Sequence, residues 1–178
     1  MSTHTEVSTD SPVVTMTRFY AAPRTLIWQV MTEPVHVQHW WGGAGCSNPL
    51  CDMDVRPGGH WRQVSRLPNG PELALDFVFI EVDPPSRLAW RHVQDGQRRD
   101  GTPSAHLQLT LEEIGVDTRW ALVARFDSLA ERDLALARGF LGPIEAGTEL
   151  LGPYLDALGA RALRLSARPS APASSRGF

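Results

Sequence analysis

Sulfur, excess charge of one sign and long greasy runs are all scarce in this sequence. Cysteine occurs only as Cys46 and Cys51, too few for a disulfide scaffold. No second Cys/His cluster lies at the spacing a four-ligand zinc site needs. Two reduced thiols, no metal and no cofactor are therefore expected. The net charge is only −3, which gives no electrostatic reason to expect nucleic acid or an anionic membrane surface as partner. No apolar stretch approaches the roughly 18 residues that a bilayer span requires, so no membrane insertion is expected. The opening MSTHTEVSTDSP lacks the basic and apolar regions of a secretory signal, which points to a cytoplasmic protein. Also missing are a Ser/His/Asp order, paired carboxylates in one pocket and a phosphate-cradling loop.

What is present is one domain's worth of chain. Its 178 residues, 42% hydrophobic and 21% charged, suffice for a single buried core. The Ser/Thr-rich residues 1–11 and the Pro/Ser/Arg-rich residues 161–178 have the composition of disordered tails and bracket a domain over 12–160. The β-branched, aromatic run Val13 to Tyr20 predicts a strand. A helix over Arg24 to Met31, with Pro23 before it, and a second over Val35 to Trp41 follow. Strands are then predicted over 48–55, 60–66, 72–82, 87–93, 104–114 and 118–126, about seven in all, separated by short turns and one polar loop, Gln94 to Pro103. Among the turns, Leu67-Pro68-Asn69-Gly70-Pro71 carries an Asn-Gly pair suited to a tight hairpin. Short turns imply an antiparallel meander. A helix over Leu129 to Arg138 leads to a longer one, in which Phe140, Ile144, Gly147, Leu151, Tyr154 and Leu158 form an apolar stripe of helical period. Gly159 is its expected C-cap, and Pro153 is expected to kink it. The fold class is thus α+β.

Strand alternation sorts the side chains into faces. One face collects Trp61, Gln63 and Ser65; Leu73, Leu75, Phe77 and Phe79; Leu88, Trp90 and His92; Ala105, Leu107, Leu109 and Leu111; and Trp120, Leu122, Ala124 and Phe126. The other face carries the arginines and carboxylates. The stretch HWWGGAGCSNPLCDMDVRPGGHWR, His39 to Arg62, sets large rings beside glycine turns, as the walls of a small-molecule pocket require. A single tryptophan packs in a core as readily as it lines a pocket. The set Trp28, Trp41, Trp61, Trp90 and Trp120 on facing elements is hard to pack without a gap. A small Gly147 near the centre of the last helix would leave room there, and Gln63, Ser65 and His92 are the polar groups placed to orient a ligand.

The pieces FYAAPRTLIWQVMTEP (19–34), HWWGG (39–43), MDVRPGGHWR (53–62), FIEVDPPSRLAW (79–90) and GFLGPIEAG near the end carry a resemblance. In this order they resemble the START-like SRPBCC superfamily, in the branch similar to the C-terminal domain of the heat-shock-protein ATPase activator. The resemblance spans roughly residues 13–158. It implies a helix-grip fold, a curved sheet wrapped around the last helix, with a deep cavity between them that accepts hydrophobic small molecules. Phe77 stands where that family usually has glycine, which implies a narrowed cavity. Asp54 and Arg56 match family positions at the Gly-Gly turn and are read as stabilising it.

The expected function is binding of a small hydrophobic or aromatic ligand, as carrier, sensor or sequestering protein. The binding residues are expected to be Trp28, Trp41, Trp61, Gln63, Phe77, Phe79, Trp90, His92, Trp120, Leu122, Ile144, Gly147 and Leu151. A cyclase- or hydrolase-like enzyme using His92 as its base, with Gln63 or Ser65 positioning the substrate, is one alternative. A chaperone-regulating interaction protein is the other, by analogy of fold. Exposed sheet edges offer a surface for a homodimer.

Overall fold

The computed structural model describes residues 3–68, 70, 72–93 and 103–166. Asn69 and Pro71 of the expected hairpin turn, the polar loop over 94–102 and the tail over 167–178 lie outside the described residues.

The sheet is antiparallel throughout, with strand order β1-β2-β8-β7-β6-β5-β4-β3. Its strands are β1 (Thr3–Val7), β2 (Val13–Tyr20), β3 (Ser47–Met53), β4 (His60–Arg66), β5 (Glu72–Asp83), β6 (Arg87–His92), β7 (His106–Ile114) and β8 (Asp117–Arg125). Helices α1 (Arg24–Thr32) and α2 (Pro34–Trp40) carry the chain from β2 to the far edge at β3. From there the strands return as the expected meander, and α3 (Leu129–Ala137) and α4 (Gly142–Ser166) close the chain. The architecture is the helix-grip arrangement, with 8 strands rather than about seven.

The added strand is β1, where a tail is expected from the composition. Thr3, Thr5 and Val7 are good strand formers, and β1 pairs with β2 from Thr3↔Arg18 to Val7↔Val14. Its Ser-rich exit is turn chemistry. The Ser11 hydroxyl donates to Ser8 Oγ at 2.8 Å, and buried Arg132 of α3 donates to the backbone carbonyls of both Ser8 and Ser11.

The far end also departs from expectation. α4 continues unbroken through Pro153 and Gly159 to Ser166, so Gly159 is no C-cap and 161–166 are helical. The residues after Gly159, Ala-Arg-Ala-Leu-Arg-Leu, are strong helix formers, and the Pro/Ser-rich composition starts only beyond them.

The inner face is apolar as the alternation predicts, with Trp61, Phe79, Leu109, Trp120 and Leu122 buried. Leu73 is the exception, 42% exposed at the open end of β5. A bulge between Phe79 and Glu81 restores inward pairing of Val82 with Leu88. On the outer face Arg66 meets Glu72 at 2.5 Å and Arg119 meets Glu112 at 3.4 Å. These pairs are solvated and add little stability.

Two contacts lock α4 in place. Tyr154 Oη lies 2.8 Å from His36 Nδ1 on α2, and the buried Tyr20 hydroxyl of β2 donates to the Thr148 carbonyl at 3.0 Å. Burial raises the Tyr20 pKa above its ordinary value, with Arg18 opposing. The unfolded chain therefore loses this proton near pH 10 while the folded chain keeps it. The stability Tyr20 contributes is complete below pH about 10 and drains away as pH rises further, by about 1.4 kcal/mol per pH unit. Tyr20→Phe is accordingly expected to cost about 1 kcal/mol at pH 8. That gap should close by about pH 11, as urea midpoints at the two pH values would show.

Candidate functional site

The site begins at the C-terminal end of α2. Trp40 and Trp41 leave the helix into a glycine loop in which Gly43 has φ +88°, and a Cβ there would stand 2.4 Å from Ala146 Cβ of α4. Only glycine lets this loop lie against α4. Gly147 makes the reciprocal approach, with a virtual Cβ 3.1 Å from the Trp40 carbonyl oxygen. Its smallness thus seats α2 on α4 instead of leaving room for a ligand. The Trp40 indole, which the sequence reading passed over, donates to the Val30 carbonyl at 3.1 Å.

Between the β4–β7 end of the sheet and the start of α4 lies a cavity of about 150 Å³. Ser65 of β4, Leu73, Leu75 and Phe77 of β5, His92 of β6 and Leu107 of β7 form its floor. Trp41, Gly42, Leu67, Phe140, Pro143 and Ile144 form its walls and rim. Deeper in, a second cavity of about 30 Å³ lies among Met31, Trp40, Trp41, Trp90, Leu107, Trp120, Leu122, Ile144 and Thr148. Trp41, Leu107 and Ile144 border both, so three side chains partition one hollow. The indole N–H groups of Trp90 and Trp120 find no acceptor among the described residues.

The expected binding residues separate on this geometry. Trp41, Phe77, His92 and Ile144 line the outer cavity, and Trp90, Trp120 and Leu122 the inner one. Trp61, Phe79 and Leu151 are fully buried behind these walls and line neither. Trp61 is the hub of that backing layer, with ring centroids 4.6 Å from Trp41, 5.1 Å from Phe77 and 5.9 Å from Trp90. Trp28 is half-buried against the core and Gly147 faces Trp40, and neither lines either cavity.

Gln63 is occupied elsewhere. Buried Asn48 of β3 donates through Nδ2 to the carbonyls of Gln38 and Trp41, each at 3.0 Å. Its Oδ1 accepts from Gln63 Nε2 at 2.7 Å and from the Ser65 hydroxyl at 2.8 Å. Gln63 Oε1 in turn accepts from the Trp61 indole at 3.2 Å. Both ends of the Gln63 amide are thus engaged, and it is a structural link rather than a ligand-orienting group. The Ser65 proton goes to an amide oxygen, which is no base, so nothing activates that hydroxyl as a nucleophile. His92, half-buried with its ring 4.3 Å from Phe77, is the one titratable side chain among the described lining residues. Burial pushes the Cys51 thiol up to about 11, so it stays protonated near neutral pH. Among the described residues no three of His, Cys, Asp and Glu gather as a metal site.

A sequence model of the family described as activator of Hsp90 ATPase homolog 1-like protein matches residues 21–149. The chain belongs to this family. Solved structures agree on the fold. A protein from Nitrosomonas europaea is 25% identical with a TM-score of 0.75, covering 86% of this chain and 99% of that one. A Rhodobacter sphaeroides protein is 22% identical with a TM-score of 0.75, covering 88% and 99%. One from Mycobacterium smegmatis is 23% identical with a TM-score of 0.74, covering 87% and 94%. Comparison with curated proteins gives no match. Just before the Gly58-Gly59 turn, Arg56 Nε pairs with Asp54 Oδ2 at 2.8 Å on the surface. No helix among the described residues is long and apolar enough to cross a membrane.

Asn48 is the residue sequence reasoning missed. A polar residue opening an apolar strand after a glycine loop was the signal available, and it is too common to have singled Asn48 out.

Proposed function

We propose that the protein binds a small, mainly apolar molecule of about one aromatic ring in the outer cavity. The observation that carries this reading is the hollow of about 150 Å³, lined by Trp41, Leu75, Phe77, Leu107 and Ile144. Apolar cavities of this order take up benzene-sized guests. Phe77 narrows the space, as its replacement of a family glycine suggested, which argues against a large lipid. The family's description suggests a chaperone-regulating role, but that rests on the name, whereas the ligand reading rests on a built cavity. An enzyme would have His92 as its candidate base, and among the described lining residues no activated nucleophile accompanies it.

Toluene tests the proposal directly. Saturable change in tryptophan fluorescence is expected, because Trp41 lines the cavity and touches Trp61. At 100 times its Kd the ligand should stabilise the fold by about 2.7 kcal/mol. For a domain this size that is a rise in Tm of roughly 5–10 °C. No saturation and no shift in Tm up to the solubility limit of toluene would overturn it.

A further inference from the structure

We infer that the outer cavity selects ligands carrying an O–H or N–H donor, through the Ser65 oxygen. The inference rests on the ligand-binding reading above and names the chemistry of its ligand. Its warrant is a chain of hydrogen bonds whose direction is forced. At one end stand the carbonyls of Gln38 and Trp41, which only accept, so the Asn48 atom facing both is its amide nitrogen. At the other end stands the Trp61 indole N–H, which only donates, so the Gln63 atom facing it is its oxygen. Asn48 therefore presents an oxygen to Gln63 and Ser65. An amide oxygen cannot donate. The Ser65 proton is committed to it.

What remains on Ser65 Oγ is acceptor capacity. A free serine hydroxyl turns to suit either kind of partner, but this one has lost that freedom to a buried network. Ser65 is 2% exposed, lines the outer cavity and is the one hydroxyl among the described lining residues. Around it, apart from His92 and the Trp41 indole, the lining is leucine, phenylalanine, proline, isoleucine and glycine. At Ser65 itself a guest with only acceptors meets an oxygen lone pair and gains nothing, while His92 lies across the same floor. A one-ring compound bearing a hydroxyl or an amine gains a hydrogen bond to buried Ser65 and leaves its ring in apolar contact. The ligand class is thus a phenol- or aniline-like compound.

Phenol and toluene differ by a hydroxyl in place of a methyl, and their affinities for the purified full chain decide the matter. In a purely apolar cavity toluene binds more tightly, because phenol must shed water from its hydroxyl. Here wild type should bind phenol at least as tightly as toluene. Ser65→Ala should weaken phenol about tenfold, corresponding to about 1.4 kcal/mol, and change toluene far less, so that the phenol-to-toluene ratio falls. Ser65→Cys, which still offers Asn48 a weak donor but presents a poor acceptor, should fall the same way if the alanine variant does not fold. Toluene preferred in wild type, or a phenol-to-toluene ratio untouched by either variant, would overturn the inference while leaving the binding proposal standing. Binding of neither compound by wild type would remove both.

Discussion

Asn48→Ala is expected to lower stability by about 4 kcal/mol, an unusual loss for a polar side chain. Asn48 joins three elements: α2 through the Gln38 carbonyl, the α2 exit through the Trp41 carbonyl, and β4 through Gln63 and Ser65. Truncation strands the Gln63 amide and the Ser65 hydroxyl, both buried to within 2% of full burial. Each stranded group costs about 1–3 kcal/mol, with the two carbonyls adding to the sum. For a domain of this size the fall in Tm is roughly 8–16 °C. Asn48→Asp separates the donor half of the amide from its acceptor half. The carboxylate keeps an oxygen for Gln63 and Ser65, but turns its second oxygen on two carbonyls. Charge repulsion and burial raise the pKa of that Asp above its unfolded value. Its stabilising state is then the protonated one, so stability is recovered at acid pH and lost as pH rises through the folded pKa. Urea melts at pH 5 and pH 8 check this. An Asn48→Ala cost below about 1 kcal/mol, or an Asp variant more stable at pH 8 than at pH 5, would contradict the forced direction of the network.

Gly59→Ala is expected to cost about 4 kcal/mol while its neighbour Gly58→Ala costs about 1. At Gly59 an added Cβ would stand 1.9 Å from the Asp54 carbonyl oxygen, an approach that backbone cannot accommodate without rebuilding the turn. At Gly58 φ is +78° but nothing lies within 4 Å, so only the left-handed backbone is penalised. The turn matters beyond itself. Gly58 N–H donates to the Phe79 carbonyl at 2.8 Å, and Phe79 N–H donates to the Gly59 carbonyl at 2.9 Å. These bonds clamp the reversal to β5 at the point where Phe79 stacks on Trp61. Opening the clamp loosens the layer behind the cavity wall, so the Gly59 variant should also lose the toluene response. Thermal melts of the two variants side by side give the comparison. Equal costs would mean that backbone conformation, not the close approach, is what requires both glycines.

Much of the fold is legible because its signals are local. Period-two alternation identifies the inner faces of β4 to β8, and proline at the starts of α1 and α2 marks those helices. The misreadings come where one composition serves two ends. Ser8 to Ser11 has the makeup of a tail and of a turn, and a guanidinium from Arg132, more than a hundred residues away, helps hold it as the turn. Gly147 has the size of a gap and of a contact, and the Trp40 carbonyl makes it the contact. Trp61, Trp90 and Trp120 are all inward by alternation, yet the same parity puts one behind the wall and two on it.

By itself the order of residues determined which side chains of β4 to β8 turn inward and to which family the chain belongs, since each is written in spacing or in short motifs. Whether the inward side chains meet or leave a hollow was decided only by tertiary structure. So was the direction of the proton on Ser65. A void is the difference between surfaces from distant elements, and a hydrogen bond takes its direction from partners such as Gln38, Asn48 and Trp61, which only folding brings together.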